Sequence, residues 1–282
     1  MYSRRKFIQG LAALTTLGAG SSMIGYAAES SGSEELFDSH CHIIDPNYPV
    51  IPNQGYLPPP YPLQQYLSNV KPLRITSGAV VSGSFQGFDQ TYLKAVLSKL
   101  GPRWVGVTQA PPNMPDSEIS DLAAVGVRAL RFNMYRGRTT NIDDLVEMAT
   151  RVHTVGKWHA EIYADAASLK QHVEKLSKLP QIVIDHLGMT EEGLPVLLDL
   201  VDAGARIKAT GFGRVKMNVP KALERIAQRN PDALIFGTDL PSTRAKRPFQ
   251  VQDIQIIREV LGPQLSRKVL WDNAVSLYRP TV

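Results

Sequence analysis

The sequence predicts a single-domain α/β fold, the (β/α)8 or TIM barrel, from three observations. Eight short apolar segments recur after Leu36, and amphipathic helical segments separate them. The apolar segments are rich in Val, Ile and Ala without polar alternation, which is typical of parallel strands buried on both faces. Several of the helical segments end in glycine or run into proline, which are common helix stops. Eight strand–helix units in a chain of this length indicate the barrel.

The predicted strands and helices alternate along the whole chain. The strands are LFDSHCHII (36–44), ITSGAVVSG (75–83), RWVGVTQA (103–110), GVRALRFNM (126–134), WHAEIYA (158–164), QIVIDHL (181–187), ARIKATGF (205–212) and ALIFGTDL (233–240). The helices include DQTYLKAVLSKL, NIDDLVEMATRVHTVG, SLKQHVEKLSKL, LPVLLDLVDAG, VPKALERIAQRN and DIQIIREVLG. A doubly wound open sheet is the alternative, but it normally has a glycine-rich phosphate turn after its first strand. Here a long Pro- and Tyr-rich segment follows instead, DPNYPVIPNQGYLPPPYPLQQY, and its length predicts a lid or pocket wall.

The N-terminus resembles an export signal. SRRKFI at 3–8 is similar to a twin-arginine motif, and Gly25 and Ala27 supply the small residues that signal peptidase requires. We therefore expect a twin-arginine-type signal peptide at 1–27, a linker at 28–35, and the barrel at 36–282. An uncleaved membrane anchor is the alternative, but the Gly, Ser and Thr content of this segment disfavours it. The sequence thus predicts export through the twin-arginine machinery to the periplasm, with no stable membrane insertion of the mature protein.

Cysteine content and charge argue against a disulfide-stabilised protein and against a nucleic-acid-binding protein. Cys41 is the only cysteine, so the chain has no intramolecular disulfide and its core depends on packing. The formal net charge is +5, but three of the positive charges belong to the predicted signal. No run of lysine and arginine remains to suggest a nucleic-acid partner.

Candidate catalytic side chains fall at the ends of three predicted strands. In a (β/α)8 barrel the active site lies at the carboxyl ends of the strands. Strand alternation places His40 and His42 on one side of the first strand and Cys41 on the other, where it is expected to pack. His186 falls near the end of the sixth strand, and Asp239 near the end of the eighth. Three imidazoles and one carboxylate are therefore predicted to meet at one site.

Four motifs in this chain resemble the amidohydrolase superfamily. They are DSHCHIID, VIDHLG, KATGFGR and FGTDLP, and the resemblance extends over roughly residues 36–279 to the segment WDNAVSLY. Within the superfamily, the sequence is most similar to the branch of 2-pyrone-4,6-dicarboxylate lactonase and related sugar-lactone hydrolases and isomerases. The fourth strand lacks the bridging lysine of the two-metal members. The fifth strand ends in Tyr163 and not in histidine, so a two-metal site is not expected.

The resemblance also implies a set of substrate-binding residues. RFNMYRGR resembles the segment with which the lactonase holds carboxylates: Arg131 matches well, whereas Arg136 or Arg138 matches only approximately. A planar guanidinium suits a carboxylate, which supports an anionic substrate. Ser84, at the end of the second strand, is a further candidate hydrogen-bond donor. The predicted substrate-binding residues are Arg131, Arg136, Arg214, Tyr56, Tyr163 and Ser84.

These residues predict the hydrolysis of a carboxylated lactone. Asp239 is the expected general base, which takes a proton from water and returns it to the leaving oxygen. His40, His42 and His186 are expected to polarise the carbonyl, either as donors or as ligands of one divalent ion. In the second case His40, His42, His186 and Asp239 would be the ligands of a zinc-like ion. The resemblance implies catalysis without metal, and the sequence leaves the question open.

Four other functions are alternatives. A sugar-lactone isomerase would use the same pocket to move an acyl group between hydroxyls, and a mononuclear decarboxylase would require a bound metal. A periplasmic dicarboxylate-binding protein would keep the arginines without turnover. A serine hydrolase is disfavoured because the glycines of VSGSFQG do not frame Ser82 or Ser84 as a nucleophile elbow.

Overall fold

Eight parallel strands form one sheet in sequence order, from β1 to β8. The computed structural model describes residues 34–137 and 141–282, and the part from Glu34 onward forms one compact unit. The predicted signal peptide at 1–27, most of the linker at 28–35, and Arg138 lie outside the described residues. The strands are β1 Leu36–Cys41, β2 Ile75–Val81, β3 Trp104–Thr108, β4 Val127–Asn133, β5 His159–Tyr163, β6 Ile182–Ile184, β7 Arg206–Ala209 and β8 Leu234–Phe236. The predicted (β/α)8 barrel is confirmed.

Helices connect the strands on the outside of the barrel. They are α1 Leu63–Val70, α2 Thr91–Leu100, α3 Asp116–Ala124, α4 Ile142–Gly156, α5 Val173–Leu176, α6 Leu194–Asp202, α7 Val219–Arg229, α8 Val251–Arg267 and α9 Asn273–Tyr278. The segment SLKQHVEKLSKL differs from the prediction, because a 3₁₀ helix at Ala166–His172 precedes the four-residue α5. A side-chain carbon at Gly188 or Gly193 would lie within 2.8 Å of the Ala166 side chain, so these glycines let the 3₁₀ helix pack closely against the segment between β6 and α6. No helix within the described residues has both the length and the apolar character needed to cross a membrane.

Two apolar regions form the core. The larger one lies between the strands and the outer helices and includes Cys41, whose side chain packs as predicted. The smaller one fills the lower part of the barrel interior, where Phe37 stacks on Tyr278 with ring centroids 5.5 Å apart. Trp271 meets the edge of Phe37 at 6.4 Å, so the C-terminal segment closes the bottom of the barrel.

The first and last strands meet at a polar seam. The buried carboxylate of Asp38 accepts hydrogen bonds from the backbone nitrogen of Thr238 at 2.8 Å and from its hydroxyl at 2.6 Å. A side-chain carbon at Gly237 would lie 2.8 Å from the backbone of His40, so glycine is required for this approach. The backbone nitrogen of Asp239 then donates to the carbonyl of His40 at 2.7 Å. The seam places the His40–His42 segment beside Asp239, at the carboxyl ends of the strands.

Candidate active site

A small cavity opens at the carboxyl ends of the strands and gathers nearly all of the predicted site residues. Its volume is about 30 Å³. Nine of the ten predicted residues line it: Asp239, His42, His186, Arg131, Arg136, Arg214, Tyr56, Tyr163 and Ser84. The tenth, His40, is fully buried behind the cavity wall, with its ring centroid 5.0 Å from that of His42 and 4.8 Å from that of His186.

The hydrogen bond of His42 to the backbone determines which of its ring nitrogens faces the site. Nδ1 lies 2.7 Å from the carbonyl oxygen of Val81, at the end of β2. A carbonyl only accepts, so Nδ1 carries the hydrogen. In the neutral ring Nε2 then presents a lone pair, 3.6 Å from Oδ1 of Asp239. Two acceptors therefore face each other across a space in which a water molecule could donate to both.

Asp239 is held as a carboxylate by Arg214. Nε of Arg214 donates to Oδ2 of Asp239 at 2.9 Å, and a second guanidinium nitrogen donates to the same oxygen. Burial alone would raise the pKa of Asp239, but the Arg214 charge lowers it well below its usual range. Oδ1 is buried and has no hydrogen-bond partner among the described residues. The negative charge is thus fixed on one oxygen while the other remains free to accept.

The backbone turns these side chains into the mouth of the barrel. Asp239 has a φ of 59° and His186 a φ of 51°, both in the left-handed region that is costly for residues other than glycine. A side-chain carbon at Gly211, which follows β7, would lie 2.7 Å from Nδ1 of His186. The fold thus keeps both side chains in place despite an unfavourable backbone conformation, as is common at functional sites.

A layer of buried charges lies directly beneath the histidines. Lys208 on β7 is fully buried, and its Nζ lies 2.5 Å from Oε2 of Glu161 on β5. The same nitrogen lies 3.1 Å from Nδ1 of His40 and 3.5 Å from Oδ1 of Asp185. The other oxygen of Glu161 accepts from the Tyr278 hydroxyl at 2.5 Å. This layer joins the apolar floor of the barrel to the site.

The four arginines of the cavity form two groups. Arg131 donates from Nε to Oδ2 of Asp185 at 2.9 Å, and Arg214 is bound to Asp239, so each of these has a buried carboxylate partner. Arg136 and Arg244 have none among residues 34–137 and 141–282. Burial, together with the charge of the nearby Arg136, lowers the pKa of Arg244. The cavity therefore carries two uncompensated positive charges close to each other.

Loops position the remaining residues of the cavity. Tyr56 belongs to the segment between β1 and α1, and the guanidinium carbon of Arg244 lies 4.5 Å from its ring centroid. Tyr163 ends β5, beneath Arg131 at 4.9 Å. Ser84 begins a short 3₁₀ turn after β2 and faces the cavity. Aromatic faces thus support the arginines on both sides of the opening.

The comparison with protein families identifies the family of this chain. The model of the amidohydrolase family matches residues 37–279, which is nearly the whole of the described barrel. The chain belongs to the amidohydrolase family. This amidohydrolase is therefore a hydrolase, and its cavity at the carboxyl ends of the strands is its candidate active site.

Two curated proteins and many solved structures are similar to this amidohydrolase. A 2-pyrone-4,6-dicarboxylate hydrolase of Comamonas testosteroni is 26% identical over 274 residues, covering 86% of this chain and 90% of that protein. A 4-sulfomuconolactone hydrolase of Rhizobium radiobacter is 27% identical over 270 residues, covering 86% and 89%. A probable 2-pyrone-4,6-dicarboxylic acid hydrolase of Acinetobacter baumannii, solved with citric acid bound, has a TM-score of 0.76 at 20% identity. The alignment of the two structures covers 87% of this chain and 100% of the Acinetobacter chain.

The predicted ligands of a metal ion are divided between two groups of donor atoms. Within the described residues, His40, His42 and Asp239 offer atoms within 4.8 Å of one another, whereas His186 falls in a second group with His40 and Asp185. The four predicted ligands therefore do not form one set. Lys208 contacts one nitrogen of His40, and Arg214 occupies an oxygen of Asp239. Cations bound directly behind the donor atoms oppose the binding of a further cation.

Sequence reasoning missed several residues of this site. Arg244 lies in an irregular loop after β8, where no pattern marks it. Lys208 and Glu161 carried a visible signal, since each is an ionisable residue with apolar neighbours on both sides in its strand. Asp185 directly precedes His186 and was visible in the same motif. Lys208 contacts His40, Asp185 contacts Arg131, and Arg244 contacts Tyr56, each of them a residue that the sequence did predict. Glu161 reaches the site through Lys208.

Proposed function

We propose that this amidohydrolase hydrolyses a lactone that carries two anionic groups. One observation carries the proposal: Arg136 and Arg244 lack carboxylate partners in the part of the chain that the structure describes, and they line the same cavity as Asp239 and His42. Two neighbouring guanidinium groups repel each other unless anions join them. A substrate with two carboxylates would neutralise both charges and would be held against the reacting groups.

The attacking water is proposed to lie between Asp239 and His42. Oδ1 of Asp239 and the lone pair on Nε2 of His42 are 3.6 Å apart, so one water can donate a hydrogen to each. Its own lone pair is then directed away from both groups and towards the substrate. Asp239 takes the proton as the carbonyl carbon is attacked, and later transfers it to the ring oxygen that leaves.

The charge that develops on the carbonyl oxygen requires donors. His186 lines the cavity, and burial together with the Arg214 charge lowers its pKa to about 3, so its ring is neutral and has one N–H to donate. Arg131 lines the same wall and is held in place by Asp185. We propose that these two side chains polarise the carbonyl. His40 is buried behind the wall, so its proposed role is to support the residues in front of it.

The similar proteins support the same class of substrate. One curated relative is named for a pyrone dicarboxylate, and the other for a sulfonated lactone. The solved neighbour was crystallised with citric acid, which is a polycarboxylate. An arginine-lined cavity of this kind is suited to such anions.

The first experiment is a turnover assay in ¹⁸O-labelled water with 2-pyrone-4,6-dicarboxylate as the probe. Hydrolysis predicts loss of the pyrone absorbance and the incorporation of one labelled oxygen into the ring-opened product. Rearranged product without label would instead show an isomerase, and release of carbon dioxide would show a decarboxylase. Binding of the probe without turnover would support a dicarboxylate-binding protein. Each of these three results would overturn the proposal.

A further inference from the structure

Lys208 is a charged side chain enclosed in the interior of the barrel. It is fully buried, while its neighbours on β7, Ile207 and Ala209, face the apolar region outside the barrel. An ammonium group has three hydrogens to donate and no acceptor. Three acceptors surround Nζ: Oε2 of Glu161 at 2.5 Å, Nδ1 of His40 at 3.1 Å and Oδ1 of Asp185 at 3.5 Å.

We propose that Lys208 is a positioning residue that fixes His40 in the tautomer with its hydrogen on Nε2. The ammonium can only donate, and its Nζ lies 3.1 Å from Nδ1 of His40, whereas Oδ1 of Asp185 lies farther from that nitrogen, at 3.5 Å. The closer contact makes Nδ1 the acceptor, so the hydrogen of the neutral ring lies on Nε2. His42 has the opposite arrangement, because its Nδ1 donates to the Val81 carbonyl. The role of Lys208 in catalysis rests on the proposed function, whereas the tautomer itself does not.

The tautomer of His40 decides what Asp239 faces. Nε2 of His40 lies 3.8 Å from Oδ1 of Asp239, and Nε2 of His42 lies 3.6 Å from the same oxygen. With hydrogen on His40 Nε2, one donor and one acceptor flank the carboxylate oxygen. The other tautomer would place three acceptors together, which would repel one another and raise the proton affinity of Asp239. Lys208 therefore acts on the base through His40.

Lys208 also balances charge, and a test must separate the two roles. Lys208 and Arg131 together face Glu161 and Asp185, so the buried layer is neutral. Lys208→Met alone would leave the Glu161 carboxylate buried without a cation, and this variant could fail to fold. The double variant Lys208→Met/Glu161→Gln removes one charge of each sign and keeps the layer neutral. Glu161→Gln alone is the matched control, because it retains the Lys208 donor to His40.

The test is ¹⁵N NMR of the imidazole rings together with steady-state kinetics. The signals of His40 are assigned by their absence from His40→Asn. We expect hydrogen on Nε2 of His40 in the wild type and in Glu161→Gln, and a shift to Nδ1 in the double variant. The kcat of the double variant on 2-pyrone-4,6-dicarboxylate should fall about ten- to hundredfold while its melting temperature stays near that of Glu161→Gln.

Two results would overturn the proposal. The first is a double variant that keeps hydrogen on Nε2 of His40, and the second is one that changes tautomer but keeps the kcat of Glu161→Gln. The first result would leave Lys208 with charge balance alone, and the second would mean that catalysis does not depend on the tautomer that Lys208 fixes. If the wild type hydrolysed no lactone, the proposed function would fail, and the NMR spectra would still decide whether Lys208 fixes the tautomer.

Discussion

At the scale of single residues, the site depends on how each polar atom is partnered. Asp239 has one oxygen bound by Arg214 and one oxygen free in the cavity wall. His42 has one nitrogen bound by a carbonyl and one facing Asp239. A buried polar atom without a partner is costly, so the free atoms mark the position that water and substrate are expected to fill.

Replacement of the proposed base tests this reading directly. Asp239→Asn keeps the shape of the side chain but removes the proton acceptor, so we expect kcat on 2-pyrone-4,6-dicarboxylate to fall about 10²- to 10⁴-fold. Asp232→Asn is the matched control, because Asp232 is half-exposed and pairs with Lys268 on the surface. Steady-state kinetics and circular dichroism provide the measurement. A full rate in Asp239→Asn would assign the base elsewhere.

Buried neutral histidine should make the fold sensitive to acid. His186 has a pKa of about 3 in the folded protein, against about 6.5 when unfolded, so the unfolded chain binds more protons between these values. Stability is then complete above pH 6.5 and is lost as the pH falls towards 3. At about 1.4 kcal/mol per pH unit, the loss from pH 6.5 to 4.5 is about 2 to 3 kcal/mol for this group.

Urea unfolding at pH 7 and pH 4.5 measures this dependence. The wild type should lose more free energy of unfolding over that interval than His186→Gln, which has no titrating ring. His40 and His159 also have lowered pKa values, because burial disfavours their charged forms, so the variant should keep part of the dependence. Equal losses in the two proteins would show that His186 does not contribute.

At the scale of elements, the loop after β1 and the loop after β8 are tied together over the cavity. Arg244 donates to the side-chain oxygen of Asn53 at 3.3 Å and lies over Tyr56, while Nδ2 of Asn53 donates to the carbonyl of Arg136 at 3.1 Å. The sequence predicted the first loop as a lid or pocket wall, and Tyr56 does line the cavity. Its partner Arg244 could not be predicted, because contacts between irregular loops leave no periodic pattern.

The two uncompensated arginines should determine how tightly an anionic substrate binds. Arg244→Met removes one charge, and we expect the KM for 2-pyrone-4,6-dicarboxylate to rise about 10- to 100-fold with a smaller change in kcat. Asn53→Ala is the matched control, since it loosens the same loop and keeps the charge. Equal effects of the two substitutions on KM would mean that Arg244 acts only as a tie between loops.

At the scale of the whole molecule, the fold could be predicted because its signals are local and repeated. Each strand is a short apolar run, and each predicted strand overlaps an observed one. The HxH segment, His186 and Asp239 were also predictable, since strand ends meet at one face of a barrel. The layer of Lys208, Glu161 and Asp185 could not be predicted. Its contacts depend on the register between neighbouring strands, which cannot be derived from the sequence alone.

The predicted destination of the protein can be tested apart from its chemistry. We propose export by the twin-arginine route, so Arg4→Lys/Arg5→Lys should keep the protein in the cytoplasm of a bacterial host that has this machinery. Fractionation and immunoblotting measure the distribution, and a chain lacking residues 1–27 provides the cytoplasmic reference. Normal amounts of the double variant in the periplasm would contradict the proposed route.

The most direct measurement of the proposed function is the ratio of kcat/KM for 2-pyrone-4,6-dicarboxylate to that for 2-pyrone-6-carboxylate. The two uncompensated charges of Arg136 and Arg244 predict that the dicarboxylate is preferred by about tenfold or more, because each charged pair is worth about 1.5 to 3 kcal/mol. The preference should fall in Arg244→Met. Equal values for the two lactones, or turnover of neither, would contradict the assignment of this cavity to a doubly anionic lactone.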